Sequence, residues 1–555
     1  MTDREPLSTP LPVPEPGNGF EQDWVLRAWL ESTLPADLLA SEQPVLHELG
    51  ARSGGEWYRL HRADRVHEPR LVQWDPWGLR VDHIELTEVW KRAHGWAAEY
   101  GLVACGYDAA LAEHARTVQF ARAWLYIPST DFYGCPLAMT DGAARILTDA
   151  GNAALAERAL PHLLARDPDR FWTSGQWMTE TAGGSDVGNT ETVARRDADG
   201  RWRLTGRKWF TSAATSEIAL TLARPEGAPE GSRGLALFYI EPRDDQGRLR
   251  DIEVLRLKDK LGTRKLPTAE LWLDGAQAEP VRGLERGVAN IAPMLNLTRT
   301  WNAVTACALA RRGIDLARAY AEQRRAFGRV LARQPLHRRT LAAMEADPAA
   351  AALGTLAMIA ELGRVEAATD DARPDLLRLL TPLLKLGTAK DAIALASETL
   401  ECFGGAGYVE DTGLPELLRD VQVLSIWEGT TNVLSLDLLR AIGQVGVAPL
   451  TEAVADRARA LDGEPLAPVR RALEQALERV PAWLDAGDER LEAAGRELAL
   501  NLYRMFCLAE LATVARRRLA DDDGRPLAAA RLFAARHFPL REPVGEDCGA
   551  VLGDF

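Results

Sequence analysis

The chain has 555 residues, of which 46% are hydrophobic and 26% are charged, and its formal net charge is −14. This length exceeds what one hydrophobic core supports and predicts three or four domains, while the acidic charge argues against nucleic acid as a partner of the whole surface. We find no charge-free window of about 18 apolar residues, so we expect no membrane span.

The first ten residues, MTDREPLSTP, lack the apolar region of a secretory signal, which favours a cytoplasmic protein. The cysteines have no CxxC spacing, so they predict reduced thiols rather than disulfides or a zinc site. They are Cys105, Cys135, Cys307, Cys402, Cys507 and Cys548. Four residues of types that bind metals lie near one another in the sequence, but their spacing does not put them on one face of a helix, so no metal site is predicted there. These residues are His83, Glu85, Glu88 and His94.

Five segments differ in composition and periodicity. Residues 1–21 form a Pro-rich tail, and residues 22–170 have the 3.6-residue periodicity of helices. Residues 171–285 alternate polar and apolar positions around turns such as DADG, which predicts a β domain. Long helices return in 286–440, and 441–555 form a helical C-terminal extension.

Five short motifs follow one another from the start of the β domain to the end of the second helical segment. The GGSD in the first motif offers backbone N–H groups and hydroxyls to an anion, although such a sequence is by itself more often a surface turn. A glycine-rich break such as FGGAGY is likewise more often a helix cap than a ligand site. The motifs are MTETAGGSD (178–186), KLGTR (260–264), RRAFG (324–328), FGGAGY (403–408) and WEGTTN (427–432).

In this order the motifs resemble those of the acyl-CoA dehydrogenase superfamily, most firmly over 170–440. The phrases LRLKDKLGTR and TPLLKLGTAK, Trp427 before the acid, and the C-terminal extension resemble the AidB branch, the adaptive-response flavoproteins. The resemblance implies a mixed α+β fold that is mostly α. It has an N-terminal helical domain, a middle β-barrel or sandwich domain, and a C-terminal helical bundle with extra helices.

In this family the acid of the E-G-T motif removes the α-proton of an acyl-CoA thioester, and Glu428 occupies that position. The alternative from the sequence alone is an acid that caps the following helix. Some members carry the base on an earlier helix, but the matching residue here is Thr298, which cannot serve. The resemblance places Arg299 near Glu428, with a salt bridge on a helix face as the alternative. The related nitroalkane oxidases use Asp in place of this Glu.

The resemblance also implies FAD and assigns residues to it. In the first motif, Met178 and Thr179 would lie beside the isoalloxazine ring, and Ser185 would lie near the pyrophosphate or the substrate. An ungapped match puts Phe210 against the ring and Ser212 near N5, with Thr211 as the alternative if the strand register slips by one. The remaining assignments are Arg324, Phe327, Gln334, Gly404 and Gly405 from a neighbouring subunit, and Thr430 and Asn432 at the AMP part. Glu401 replaces a family glutamine, which puts one adenosine contact in doubt.

Three functions remain open. The first is an FAD-dependent acyl-CoA dehydrogenase that passes electrons to an electron-transfer flavoprotein and forms a homodimer or homotetramer. The second is an AidB-type alkylation-response protein that binds DNA, although residues 441–555 contain 15 arginines, no lysine and 19 acidic residues. The third is a flavin oxidase that uses O₂. The sequence does not indicate the acyl chain length.

Overall fold

The computed structural model describes residues 11–485 and 487–542, so Cys548 and the first ten residues of the predicted tail lie outside it. The described part of the tail packs on the fold, because Pro14 and Pro16 are buried. The N-terminal helices are α1 (Gly19–Gln22), α2 (Trp24–Thr33), α3 (Ala36–Gly54), α4 (Glu56–Ala63), α5 (Glu88–Glu99), α6 (Ala115–Tyr126), α7 (Gly134–Asp149) and α8 (Ala153–Leu163). Asp23 and Thr87 cap α2 and α5 through their side chains, as these residue types commonly do.

A β-hairpin interrupts these helices and corrects the expectation of helices throughout 22–170. Strands β1 (Arg70–Trp74) and β2 (Arg80–Glu85) pair antiparallel, and β2 alternates buried with exposed residues. The hairpin docks on the middle domain, where the Val254 N–H donates to Asp82 Oδ2 at 2.9 Å. The alternation of polar and apolar residues in β2 covers only six residues, which is too few to predict a strand between long helical segments.

The middle domain is a β-barrel. Its strands are β3 (Ser174–Trp177), β4 (Val193–Arg196), β5 (Trp202–Ser212), β6 (Ile218–Pro225), β7 (Ala236–Ile240), β8 (Ile252–Leu257) and β9 (Thr268–Pro280). Pairing runs β6–β4–β5–β9–β7 and returns from β7 to β6, while β3 joins β6 and β8 joins β9. Because the ring of strands is closed, its edge strands are hydrogen-bonded to each other and are not left open. The side chains of Trp177, Phe238 and Leu271 belong to the barrel core.

The second helical bundle is built around three long helices. Its elements are α9 (Gly287–Gln323), the short hairpin β10 (Arg325–Ala326) and β11 (Arg329–Val330), α10 (Pro335–Glu366), α11 (Pro374–Cys402), α12 (Leu414–Gln422) and α13 (Thr431–Val445). Proline opens α10 and α11 at a position where no backbone donor is needed. Nearly every residue of α9 from 300 to 317 is buried, so α9 is a central element of the fold.

The C-terminal extension continues the bundle with α14 (Ala448–Ala460), α15 (Ala467–Leu484), α16 (Asp488–Ala493), α17 (Gly495–Leu519) and α18 (Arg525–His537). Within the described residues, α10 and α17 are long and apolar enough to cross a membrane, and the bent pair α13 and α14 would make a third. However, 72% and 83% of the apolar windows of α10 and α17 are buried inside the fold. The predicted fold class, helical domains around a middle barrel with extra C-terminal helices, is confirmed.

Candidate active site

The lone acid lies on a tight turn before α13. Glu428 has a φ of 56° and Gly429 a φ of 103°, both in the left-handed region. Such a conformation costs a residue other than glycine about 1–3 kcal/mol, so surrounding contacts must hold Glu428 in place. Thr430 caps α13, because its hydroxyl accepts from the Val433 N–H at 3.4 Å. The helix-cap alternative for Glu428 is therefore wrong.

The Glu428 carboxylate contacts two distant parts of the chain. Thr298 on α9 donates its hydroxyl to Oε2 at 2.7 Å. Gln176 on β3 places Nε2 3.5 Å from Oε1 and 3.4 Å from the sulfur of Met178. Gln176 thereby brings the MTE and EGT motifs together in one site.

Burial raises the pKa of Glu428, because the charged form loses hydration. The hydrogen bond from Thr298 is the largest opposing influence on that pKa, followed by the charges of Arg299 and Lys385. Burial also raises the pKa of the nearby Cys135 thiol to about 12, and the Glu428 charge adds to that rise. The Glu428 carboxylate is thus partly withdrawn from water, as expected for a carboxylate that acts as a base near neutral pH.

Arg299 serves the turn rather than the carboxylate. Its Nε donates to the backbone carbonyl of Glu428 at 3.2 Å, and its Nη1 lies 2.7 Å from Asp437 Oδ2. Arg378 binds the other oxygen of Asp437, also at 2.7 Å. Arg299 therefore lies beside Glu428 and also forms a salt bridge, so both features expected from the sequence are present.

In the barrel, strand β5 separates the two register alternatives. Thr211 is fully buried and donates its hydroxyl to the Ala269 carbonyl. Phe210 is 49% exposed, and Ser212 is partly buried with its hydroxyl 3.2 Å from that of Thr268. Phe210 and Ser212 thus lie on the face opposite Thr211, so the two alternatives correspond to the two faces of β5.

Lys260 of the KLGTR motif supports the same strand end. Its ammonium donates to Thr268 Oγ1 at 2.9 Å, and burial lowers the pKa of Lys260 to about 8. In the first motif, the Thr179 carbonyl accepts from the Trp209 N–H at 2.9 Å, which ties this motif to β5. Ser185 lies on the exposed loop that follows.

A second group of assigned residues lies far from Glu428 in the same chain. Arg324 ends α9, about 25 residues after Arg299, which is up to about 37 Å along a helix that rises about 1.5 Å per residue. Phe327 on the β10–β11 hairpin is 97% exposed, and Gln334 Nε2 donates to the Ala326 carbonyl at 3.0 Å. Arg324 and Glu428 of one chain are therefore widely separated.

The glycine-rich turn after α11 is also on the surface. Gly404 has a φ of 57°, and a Cβ added at Gly404 or Gly405 would meet no atom within 4 Å. Glu401 is exposed one turn earlier, and Tyr408 is 90% exposed. Asn432 is exposed on the first turn of α13. Open space above a glycine pair fits an approaching cofactor.

The residues present fit a flavin. Gln176 Oε1 is buried beside Glu428 and has no hydrogen-bond partner among the described atoms, so it is available to a donor from a bound molecule. Met178 lies next to it and the exposed ring of Phe210 supplies a second apolar surface. Across the described ranges, no group of three or more His, Cys, Asp or Glu side chains is arranged to hold a metal ion.

Three residues around Glu428 belong to none of the sequence motifs: Gln176, Lys385 and Asn302. Lys385 on α11 donates to the carbonyls of Trp427 and Gly429, each at 2.6 Å. Asn302 on α9 accepts from the Trp427 indole N–H. The charge of Lys385 within the apolar run TPLLKLG was the one available signal for its role.

A helical domain, a β-barrel and a helical bundle that surround one partly buried glutamate define a protein of the acyl-CoA dehydrogenase class. Three domain models match the chain: the AidB N-terminal domain over 11–170, the acyl-CoA dehydrogenase middle domain over 175–276, and the acyl-CoA dehydrogenase C-terminal domain over 285–443. Their order follows that of the helical domain, the barrel and the bundle.

Acyl-CoA dehydrogenase family member 11 of Caenorhabditis elegans is 42% identical over 512 residues, which cover 88% of this chain and 83% of that protein. Putative acyl-CoA dehydrogenase AidB of Escherichia coli is 32% identical over 506 residues, or 86% of this chain and 85% of that protein. The chain therefore belongs to the acyl-CoA dehydrogenase family, in the branch with an AidB-type N-terminal domain, and the predicted resemblance is confirmed.

Solved structures agree. The crystal structure of Caenorhabditis elegans ACDH-11 in complex with C11-CoA matches with a TM-score of 0.95 and 38% identity, covering 100% of this chain and 98% of that one. An acyl-CoA dehydrogenase complexed with FAD from Bacillus anthracis matches with a TM-score of 0.66 and 17% identity over 80% of each chain, which shows a shared fold.

Proposed function

We propose that the protein is an FAD-dependent acyl-CoA dehydrogenase that forms a double bond between the α- and β-carbons of an acyl-CoA thioester. The observation that carries the proposal is the Glu428 carboxylate, which is partly withdrawn from water, held by Thr298 at 2.7 Å and joined to Met178 through Gln176. A structural ion pair would place a cation at the carboxylate, but the cations here bind the turn's carbonyl oxygens.

Glu428 takes the α-proton of the thioester. The Thr298 hydroxyl occupies Oε2, whereas Oε1 has only the 3.5 Å contact with Gln176, so Oε1 is the oxygen placed to receive the proton. The raised pKa makes Glu428 a stronger base than an exposed glutamate. FAD, when bound, supplies the acceptor for the hydride that leaves the β-carbon.

Met178, Phe210 and Ser212 are proposed to hold the ring of the flavin, as the family motifs imply. The fit is supported by the buried free oxygen of Gln176 and by the register of β5, which keeps Phe210 and Ser212 on one face. ACDH-11 was crystallised with C11-CoA, so we propose medium to long acyl chains as substrates.

At least a dimer is proposed as the active form, and a tetramer remains compatible. The length of α9, which separates Arg324 from Glu428 of the same chain, supports this proposal, and the exposed Phe327 and Tyr408 offer apolar surface for a second copy. An electron-transfer flavoprotein is the proposed acceptor and the cytosol the proposed compartment.

The test is anaerobic mixing of the purified protein with acyl-CoA thioesters from C4 to C16, including C11. Bleaching of the flavin absorption is expected for at least one chain length. A protein that holds FAD but is reduced by no thioester would refute the proposal. Rapid reoxidation by air, without an added acceptor, would instead support the oxidase alternative.

The DNA-binding alternative is supported by the match to an AidB N-terminal domain. Against it, the basic run at the end of α17 is partly neutralised, because Arg518 pairs with Glu31 and Asp521. Arg516 and Arg517 are exposed. Titration with duplex DNA at physiological salt distinguishes the DNA-binding function from the dehydrogenase function. Nanomolar affinity would favour the DNA-binding function, since non-specific binding has dissociation constants of about 10⁻⁴–10⁻⁶ M.

A further inference from the structure

Three consecutive backbone carbonyls in the Glu428 turn accept hydrogen bonds from cationic side chains. Lys385 Nζ binds the carbonyl oxygens of Trp427 and Gly429 at 2.6 Å, and Arg299 Nε binds that of Glu428 at 3.2 Å. Within the described residues, the carbonyls of Trp427 and Gly429 have no other hydrogen-bond donor. The turn is therefore held from α11 and from α9.

We infer that Lys385 is a positioning residue for the proposed reaction: by binding the carbonyls on both sides of Glu428, its side chain fixes the base in its left-handed conformation. This inference rests on the proposed function. The left-handed backbone conformation of Glu428, followed by that of Gly429, is energetically unfavourable without supporting contacts. The two hydrogen bonds from Lys385 supply such contacts, because they favour the orientation of the peptide groups that this conformation requires.

Burial of Lys385 is costly, which argues against a packing role. The residue has no exposed surface, and it forms no salt bridge within the described part of the chain. Burial lowers the pKa of Lys385 to about 7, opposed by the Glu428 charge and assisted by that of Arg299. Its neighbours Leu384 and Leu386 are buried apolar residues, so an apolar side chain would fill this stretch of α11 without the loss of hydration.

The position of the lysine also matches the needs of the chemistry. Displacement of a reacting group by about 1 Å can reduce a reaction rate about 100-fold. A glutamate on a turn without supporting hydrogen bonds has many displaced positions of this kind. Lys385 contacts only backbone atoms of the turn, so it fixes Glu428 without contacting the carboxylate oxygen that receives the proton. The lysine acts through Glu428 and not on the substrate.

The variant that tests this is Lys385→Met, which keeps the unbranched side chain and removes its hydrogen-bond donors. The control is Lys390→Met, the same exchange five residues further along α11, where the lysine is partly exposed and makes no hydrogen bond to a described residue. Both are compared with wild type for FAD content, for acyl-CoA affinity, and for the anaerobic rate of flavin reduction by the best substrate of the panel.

Lys385→Met is expected to keep FAD and to bind acyl-CoA within about threefold of wild type, while its reduction rate falls about 100-fold. 3-Thiaoctanoyl-CoA serves as a second probe. Its α-proton is acidic and sulfur replaces the β-carbon, so it reports proton removal without hydride transfer. Formation of its enolate should slow in parallel. Lys390→Met should match wild type in each measurement.

Amide hydrogen exchange of a peptide that covers 426–432 gives a readout that does not depend on activity. Exchange should quicken at least tenfold in Lys385→Met and remain unchanged in Lys390→Met. Unchanged exchange, or faster exchange with a wild-type rate of proton removal, would overturn the inference. If wild type reduces no thioester, the proposed function fails alone and the exchange data still decide whether Lys385 holds the turn.

Methionine beside two carbonyls could prevent folding, so Lys385→Gln is prepared in parallel. Glutamine is polar but ends one atom shorter, so it reaches one of the two carbonyls. Its reduction rate should fall at least tenfold, with exchange between that of wild type and of a freed turn. Wild-type values for both measurements in Lys385→Gln would overturn the inference.

Discussion

Replacing Glu428 with glutamine removes the proposed base while nearly preserving the shape of its side chain. The surroundings can accept the amide: Thr298, at 2.7 Å, can donate to the new carbonyl oxygen. The new NH₂ group then faces Gln176, whose own buried Oε1 has no partner among the described atoms and can accept from it after an amide flip. We therefore expect Glu428→Gln to fold, hold FAD and bind acyl-CoA.

Flavin reduction should nevertheless be lost. Removal of a general base costs about 10²–10⁴-fold, or about 2.7–5.4 kcal/mol in the barrier. The assay is anaerobic stopped-flow absorbance with the best acyl-CoA of the panel, and the control is Glu452→Gln, at an exposed position on α14. A wild-type rate in Glu428→Gln that retains FAD would refute the assignment of Glu428 as the base.

Stability gives a second test of the same substitution. The pKa of Glu428 is raised in the folded protein, so its contribution to stability is largest at low pH and is lost as the pH rises through the folded pKa. Glu428→Gln should therefore melt no lower than wild type at pH 8, and any advantage should shrink toward pH 5. If Glu428→Gln were less stable than wild type at pH 8, the surroundings would not disfavour the ionised carboxylate, and the raised pKa of Glu428 would be contradicted.

Four further outcomes are expected. Thr298→Val should move the pH profile of flavin reduction to higher pH, because it removes a hydrogen bond that lowers the pKa of Glu428, whereas Thr298→Ser should retain the wild-type profile. The protein should purify yellow with one FAD per chain, and a colourless folded protein that FAD cannot reconstitute would contradict this. Arg324→Ala should lower FAD occupancy without lowering the melting temperature of the apoprotein, since Arg324 is exposed in the single chain; unchanged occupancy would argue against a role across subunits. Light scattering should give a dimer or a larger assembly, and a monomer with stoichiometric FAD would exclude the shared site.

The order of the motifs was sufficient to predict the family, the domain order and Glu428 as the candidate base. Those predictions depend on local sequence: alternation marks the barrel strands, 3.6-residue periodicity marks the helical segments, and the short motifs mark the site. The hairpin Arg70–Glu85 was missed because six residues of alternation carry little weight between long helices.

The surroundings of Glu428 required the tertiary structure. Thr298 and Gln176 are 130 and 252 residues away from Glu428 in the chain, and both reach it only because α9 and β3 pack beside the turn. The same holds for Lys385, whose role depends on the backbone direction of two carbonyls that no side-chain pattern reports. Periodicity shows which face of an element is buried, whereas packing between elements decides which groups meet there, so the sequence predicted the base and the fold determined what holds it.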